Sequence, residues 1–278
     1  LTQAQGSIGE AVRGEGADTR HDKTAFVAEL VPSNRKLVEF SIEFPNTPGV
    51  IGAVASILSK HNVNILTGSH NPREWSFFAD VTEIESSIED VVKEISSLPT
   101  VSKLALGKEV SEGIIVDTLH QQLVWGPFRM ITMRAEVMSS ILNRIKGIFG
   151  AEGKAGKALV FGMGEAAGRN FYKGLASHMA TDGLNSHIDD ILGLCGADGW
   201  GDFTLTSLDL NGMTASVTVL NGFECANGAG SSSTCDFVRG HLAGVFSEMF
   251  GKRTDVAETM CVARGHSHCQ FDVSGVKQ

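Results

Sequence analysis

The sequence predicts an α+β protein with two structured parts, and three observations carry that prediction. Residues Leu37 to Leu106 read as strand, helix, strand, strand, helix, strand. From Met133 onward, apolar residues recur at three- and four-residue intervals through long segments, which is the spacing of a helix with one buried face. Two runs, Phe203 to Leu210 and Met213 to Asn221, the second of them alternating, flank Asn211-Gly212, the dipeptide most typical of a tight hairpin turn. Helices packed on an antiparallel sheet are therefore expected in the C-terminal part.

Composition narrows the class. A chain of 278 residues exceeds one average domain, and 42% hydrophobic with 20% charged residues supports a real core. The formal net charge is −9 and no lysine or arginine cluster occurs, which argues against direct nucleic-acid binding through phosphates. No apolar run approaches the roughly 20 residues of a membrane span, and no signal-peptide core is present. The chain opens with Leu1 and not Met, and a missing or recoded start is the expectation. Five cysteines, an odd number gathered in the last third, fit a reducing cytoplasm and a metal better than a disulfide framework.

Residues 1–34 are polar and glycine-rich, with too little apolar surface to offset ordering entropy, and are expected to be a flexible tail. A short strand or helical turn fits the apolar patch from Phe26 to Val31. Next, Val38, Phe40, Ile42 and Phe44 alternate with Glu39, Ser41 and Glu43, the period of a half-buried strand. Asn46-Thr47-Pro48-Gly49 ends it, and Val50, Ile51, Val54, Ile57 and Leu58 resume at helical spacing. A strand over Asn64 to His70, a turn at Asn71-Pro72, a strand over Trp75 to Glu83, a helix over Ser87 to Leu98 and a strand over Thr100 to Leu106 follow.

Residues 35–107 resemble an ACT domain, a small-ligand regulatory module of ferredoxin-like βαββαβ order. The resemblance rests on the strand ending in Glu43-Phe44, the loop from Asn46 to Val50, and Asn62-Val63-Asn64-Ile65. It implies that backbone amides at a helix N-terminus hold a ligand carboxylate, with Asn46, Gly49 and Val50 as the effector site and an amino acid as the type of ligand. It also implies a homodimer. A Pro-Gly step is equally an ordinary way to leave a strand and enter a helix, so a purely structural loop is the alternative.

Gly107 to Gly113 reads as a linker and Asp117 to Trp125 as a short helix. A long helix begins at Met133, with Met138, Ile141, Leu142, Ile145, Ile148 and Phe149 as its core stripe and Arg144 and Lys146 off it. Ala158 to Phe161 followed by Gly162, Gly164 and Ala167 matches a dinucleotide fingerprint, with Asp182 near the distance of a ribose-binding acid. No repeating βαβ pattern surrounds it. The alternative is one helix from Gly156 to His178 in which Gly162, Gly164 and Gly168 let another element approach closely. A helix from Ser186 to Cys195, capped by Asn185 or Ser186, a loop from Gly196 to Gly201, the hairpin, and a mobile Gly/Ser-rich run from Gly222 to Thr234 complete the pass.

The stretch from Cys235 to Cys269 holds the most specific chemistry. Cys235, Glu258, Cys261 and Cys269 could close on one metal ion: Glu258 and Cys261 are separated by two residues, and Cys269 lies across a turn containing Gly265. Such a donor set suits zinc, which accepts S, N and O ligands in four-coordinate sites. Three buried packing cysteines are the alternative. His266 and His268, in the same turn, could replace a ligand or face solvent.

The same stretch resembles the C-terminal half of the 4-vinyl-reductase domain, in Cys235-Asp-Phe237, Gly240 to Gly244, Glu258-x-x-Cys261 and Gly265-x-x-x-Cys269-x-Phe271. That family includes the sensors of phenol- and xylene-responsive transcription activators. The resemblance implies that residues 108–278 form such a domain, that Cys235, Glu258, Cys261 and Cys269 hold a structural zinc, and that a small hydrophobic ligand occupies a pocket between helices and sheet. Trp200, Phe203, Phe223 and His120 are the candidate lining residues by chemistry, apolar walls with one hydrogen-bonding group.

Three functions fit. A non-enzymatic sensor is favoured by both resemblances and by the lack of a recognisable catalytic motif. An enzyme or ligand carrier in tetrapyrrole metabolism is suggested by the second family's name. A dimeric scaffold with both pockets collapsed is the third.

Overall fold

The computed structural model describes residues 28–120, 122–148, 154–178, 188–225 and 235–276. The chain divides into two compact units between Met130 and Ile131. Residues 1–27 of the expected tail, Phe149, Asp182, the expected caps Asn185 and Ser186, and residues 226–234 of the Gly/Ser-rich run lie outside the described residues.

In the first unit, strands β2 (Leu37–Glu43), β3 (Asn64–Asn71), β4 (Glu74–Asp80) and β5 (Lys103–Leu106) form an antiparallel sheet in the order β3-β4-β2-β5, joined by helices α1 (Val50–Lys60) and α2 (Ile88–Ser96). One face carries Val38, Phe40, Ile42, Phe77 and Ala79 against Val54 and Leu58 of α1 and Val91 and Ile95 of α2. Helix α2 begins where the sequence places it because Ser87 closes a capping box: Asp90 N–H donates to Ser87 Oγ at 3.1 Å, and Ser87 N–H donates to Asp90 Oδ2 at 3.3 Å.

The other face is also covered, which alternation along β2 did not predict. Strand β1 (Ala28–Val31) pairs antiparallel with β6 (Gly113–Val116), and Val31 and Ile115 pack on Leu37 and Phe78. Glu39 and Ser41, expected at a wet surface, are consequently buried. Part of the presumed tail and a segment that starts at the last residue of the presumed linker, Gly113, thus form one ribbon over the sheet. No helix forms at Asp117, because its Oδ1 accepts the N–H groups of Leu119 and His120 at 3.1 and 2.9 Å. A short aspartate turn satisfies those donors instead. Leu123–Trp125 is strand β7, paired with β8 (Phe128–Met130).

The second unit comprises α3 (Ala135–Ile148), α4 (Lys154–Ala176), α5 (Ile188–Ala197), β9 (Asp202–Asp209), β10 (Thr214–Leu220), α6 (Asp236–Met249), β11 (Thr254–Met260) and β12 (Cys269–Gly275), with the sheet ordered β11-β12-β10-β9. Ala215, Val217 and Val219 alternate inward as read, joined by Cys269, Phe271 and Val273 of β12. The hairpin turn is longer than predicted. Asp209 pairs with Thr214, so the loop spans Leu210 to Met213, and Asp209 Oδ1 accepts from both Asn211 and Gly212 N–H. The left-handed residue is Met213, at φ 53°.

Helix α3 buries a different line from the expected one. Ser139, Leu142 and Lys146 are buried, whereas Ile141 and Ile148 are exposed. Polar bonds decide this: Ser139 Oγ donates to the Phe223 carbonyl at 2.7 Å, and Lys146 Nζ donates to Glu224 Oε1 at 2.8 Å.

The dinucleotide-like motif lies wholly inside α4, and Ala158 to Phe161, where the site would need a strand, are helical, so the strand-turn-helix context is missing. Its glycines serve packing. A Cβ on Gly164 or Gly168 would meet the carbonyl oxygens of Phe237 or His241 in α6, and one on Gly240 or Gly244 would meet those of Phe161 or Glu165 in α4, all closer than 3.0 Å. Gly162 faces open space. We therefore expect Gly168→Ala to destabilise by about 2 kcal/mol or more through overpacking. Gly162→Ala should be neutral or stabilising by up to ~1 kcal/mol, since alanine is the better helix former. Urea denaturation of the two variants checks the contrast.

Candidate functional site

Four cysteines converge at one end of the second unit. Cys225 follows β10, Cys235 precedes α6, Cys261 follows β11, and Cys269 opens β12. All four are buried free thiols. Their sulfurs lie within 4.8 Å of one another, a group that could hold a metal ion.

Cys269 Sγ stands 3.4 Å from Cys225, 3.8 Å from Cys235 and 3.9 Å from Cys261. Four sulfurs at about 2.3 Å from a tetrahedral ion are about 3.8 Å apart, so the spacing fits a thiolate-bound metal and is far from the ~2.0 Å of a disulfide. The thiols hydrogen-bond one another, which makes the first protons easy to lose and the last hard. Bonds from Cys235 and Cys269 draw Cys225 down to about 4, and a bond from Cys235 draws Cys261 down to about 6. Cys235 is pushed up by the same bonds. A divalent cation bound there would replace those shared protons.

Three of the four expected ligands, Cys235, Cys261 and Cys269, thus come together, and the fourth sulfur belongs to Cys225. The Glu258 carboxylate instead receives the Cys235 backbone N–H, at 3.3 and 3.2 Å. Burial, then its bond with Cys261, raises its pKa to about 8. His266 Nδ1 contacts the Cys261 backbone and His268 contacts Ser267, so neither imidazole enters the cluster.

Helix α6 links this cluster to a second feature. Two turns beyond Cys235, His241 is buried, its Nε2 lies 3.6 Å from Cys195 Sγ, and its Nδ1 has no hydrogen-bond partner. Trp200 and Phe171 stand around it, with ring centroids at 4.8 and 5.4 Å, and Phe223 and Phe237 flank Trp200 at 5.9 and 5.6 Å. Of the candidate lining residues, Trp200 and Phe223 stand in this ring cluster. His120 belongs to the first unit, where it bonds Asp117 and Glu74. Phe203 lies on β9 opposite Val219 and has no place in this ring cluster. Sequence reading missed His241 because a histidine on a buried helix face carries no local pattern.

Burial lowers the His241 pKa to about 4, so the ring is neutral near pH 7. In the unfolded chain it titrates near ~6.5, so between these values the unfolded state binds more protons and stability falls as pH falls. By about pH 5 this costs about 2 kcal/mol, and His241→Phe should abolish that share of the acid sensitivity. Urea midpoints for both proteins at neutral and mildly acidic pH give the comparison.

The start of α6 is anchored by a buried ionic group. Glu224 Oε1 and Oε2 accept the N–H groups of Phe237 and Val238 at 3.1 and 3.0 Å. Lys146 of α3 lies 2.8 Å from Glu224 and 3.6 Å from Asp236. Burial raises the Glu224 pKa against the pull of that lysine and the two helix amides.

In the first unit, Gly49 precedes α1 at φ 91°, and no side chain caps that helix. Asn46 lines an open pocket of about 570 Å³ with Phe44, Pro45, Pro72 and Arg73. Val50 has its side chain in the core, so only its backbone faces the helix start.

The model of the vinyl-4-reductase domain matches residues 216–274, and the ACT domain model matches residues 38–100. No curated protein matches. The phenol-responsive sensory domain of the transcription activator PoxR, solved with phenol, is 20% identical, with 53% of this chain and 77% of that one covered at a TM-score of 0.45. A vinyl-4-reductase family protein from Methanocaldococcus jannaschii is 19% identical, over 53% and 85% of the chains at 0.34. A trafficking protein particle complex subunit 3 from Naegleria fowleri, covalently bound to palmitic acid, is 11% identical over 51% and 95% at 0.40. The chain carries an ACT domain followed by a vinyl-4-reductase domain.

Proposed function

We propose that this is a non-enzymatic, ligand-responsive regulatory protein whose vinyl-4-reductase unit binds a small hydrophobic compound beside His241. The bare Nδ1 of His241 inside an aromatic shell carries the reading, because a buried polar atom without a partner is costly unless something arrives to bond it. A planar or aliphatic ligand with one hydroxyl or carboxyl group supplies both the apolar area and that bond.

A zinc ion on the cysteine cluster would brace the N-terminus of α6 and so fix His241 two turns away. With four thiolates available the ion has no open position, which makes it structural. Cys225→Ser should weaken it more than Glu258→Gln. The ACT unit would take an amino-acid effector at the Asn46, Gly49 and Val50 loop, where uncapped helix amides and Arg73 favour a carboxylate. Five exposed apolar residues on adjoining helices, Val137, Ile141 and Ile148 of α3 with Leu159 and Met163 of α4, support a homodimer. Buried free thiols suit a reducing compartment such as the cytoplasm.

Thermal shift against a panel of simple phenols and fatty acids tests the sensor reading. At least one compound should raise the melting temperature of the parent protein and fail to do so in His241→Phe with metal content unchanged. If none shifts the parent, the sensor reading of this unit is lost.

A further inference from the structure

A second cluster lies in the first unit, on the sheet face turned away from the helices. Glu39 projects there from β2, and residues 117–120, following β6, lie over it. Glu39, Asp117 and His120 each present a ligand atom, and these atoms lie within 4.8 Å of one another.

Two facts distinguish this from an ordinary acidic patch. Glu39 is 1% exposed, and its Oε1 has no hydrogen-bond partner among the described residues. Its other oxygen, Oε2, accepts both the backbone N–H and the hydroxyl of Thr118 at 3.0 Å. The backbone makes room for the carboxylate, since a Cβ on Gly107 would come within 2.5 Å of Oε2. A carboxylate so enclosed, facing that of Asp117, needs a proton or a cation between the two.

The histidine is also oriented from behind. His120 Nε2 lies 2.8 Å from Glu74 Oε1 and 3.3 Å from Ser76 Oγ, and Glu74 in turn accepts from Ser41 Oγ. With Nε2 donating to Glu74, Nδ1 faces Asp117, whose oxygens are both 2.9 Å away, so a cation bound there would take the place of the proton that Nδ1 and Asp117 share. A carboxylate behind an imidazole is the usual way to fix a ligating histidine.

We propose that Glu39, Asp117 and His120 form a divalent cation site. Two carboxylates and one imidazole favour a first-row ion at the hard end of the series, such as manganese(II), and exclude soft monovalent copper. Three protein ligands leave coordination positions for water or for a small anionic molecule, unlike the closed cysteine cluster.

The test is titration of the full-length chain, with its cysteine cluster already loaded with zinc, by Mn²⁺, followed through loss of the free-ion electron paramagnetic resonance signal. One Mn²⁺ should bind per chain, at least tenfold more weakly in Glu39→Gln and in Asp117→Asn, and equally well in Glu89→Gln, a control on the surface of α2. Bound Mn²⁺ should also broaden the His120 ring signals of the unmodified protein, a readout that does not depend on any variant folding. No binding at millimolar Mn²⁺ would mean that Glu39 and Asp117 share a proton instead, and would overturn the proposal. Binding that survives both substitutions, or broadening centred on another histidine, would overturn it as well.

Discussion

Cys269→Ser is expected to strip the protein of zinc. Cys269 Sγ contacts the other three sulfurs, so its loss removes one of four ligands and leaves three thiols to hold the ion. Elemental mass spectrometry should find about one zinc per chain in the parent and almost none in the variant. The thermal midpoint should fall by about 10 °C or more. That corresponds to several kcal/mol, a fraction of the ~10–16 kcal/mol that structural zinc supplies to isolated zinc-finger peptides, because this unit has its own core. Chelation should reproduce the effect in the parent and leave the variant unchanged. A parent protein that purifies without metal would return the four cysteines to simple packing.

Lys146→Met is expected to cost about 3–5 kcal/mol despite conserving volume. Its ammonium lies beside two almost wholly buried carboxylates, Glu224 at 2.8 Å and Asp236 at 3.6 Å, and Asp236 is also paired with Arg239 at 2.9 Å, so the loss falls mainly on Glu224. Removing it leaves Glu224 charged and desolvated at the start of α6. The double variant Lys146→Met with Glu224→Gln should recover a large part of the loss, because glutamine keeps an oxygen for the N–H groups of Phe237 or Val238 without the charge. Denaturant unfolding of the two singles and the double forms a cycle, and purely additive effects would show that the pair does not interact.

Much of this protein was legible in its sequence where a signal is local. Period-2 alternation located β2 and β10, the return of apolar residues at helical spacing located α1, and of the three glycines read as a close-packing set, Gly164 and Gly168 do pack while Gly162 does not. Three of the cluster sulfurs were legible because Cys235, Cys261 and Cys269 sit at element boundaries with recognisable neighbours. Cys225 was not, since it follows the hairpin at the edge of a Gly/Ser-rich run and meets the others only through the register of β10 with β12. The buried face of α3 was misjudged because hydropathy treats Lys146 as a surface residue. Only a partner 78 positions away in the chain reverses that. His241 and Glu39 escaped for the same reason: their significance lies in what surrounds them in space.

The pairing of β1 with β6 has a practical side. The two strands come from opposite flanks of the ACT core and meet like the ends of a belt, so the natural unit of excision is wider than residues 38–100. A fragment trimmed to those limits would lose Val31 and Ile115, bare Phe78 to water, and present a sticky apolar sheet face. Aggregation of such a fragment would report on where it was cut and would say nothing about the behaviour of the ACT module in the intact chain.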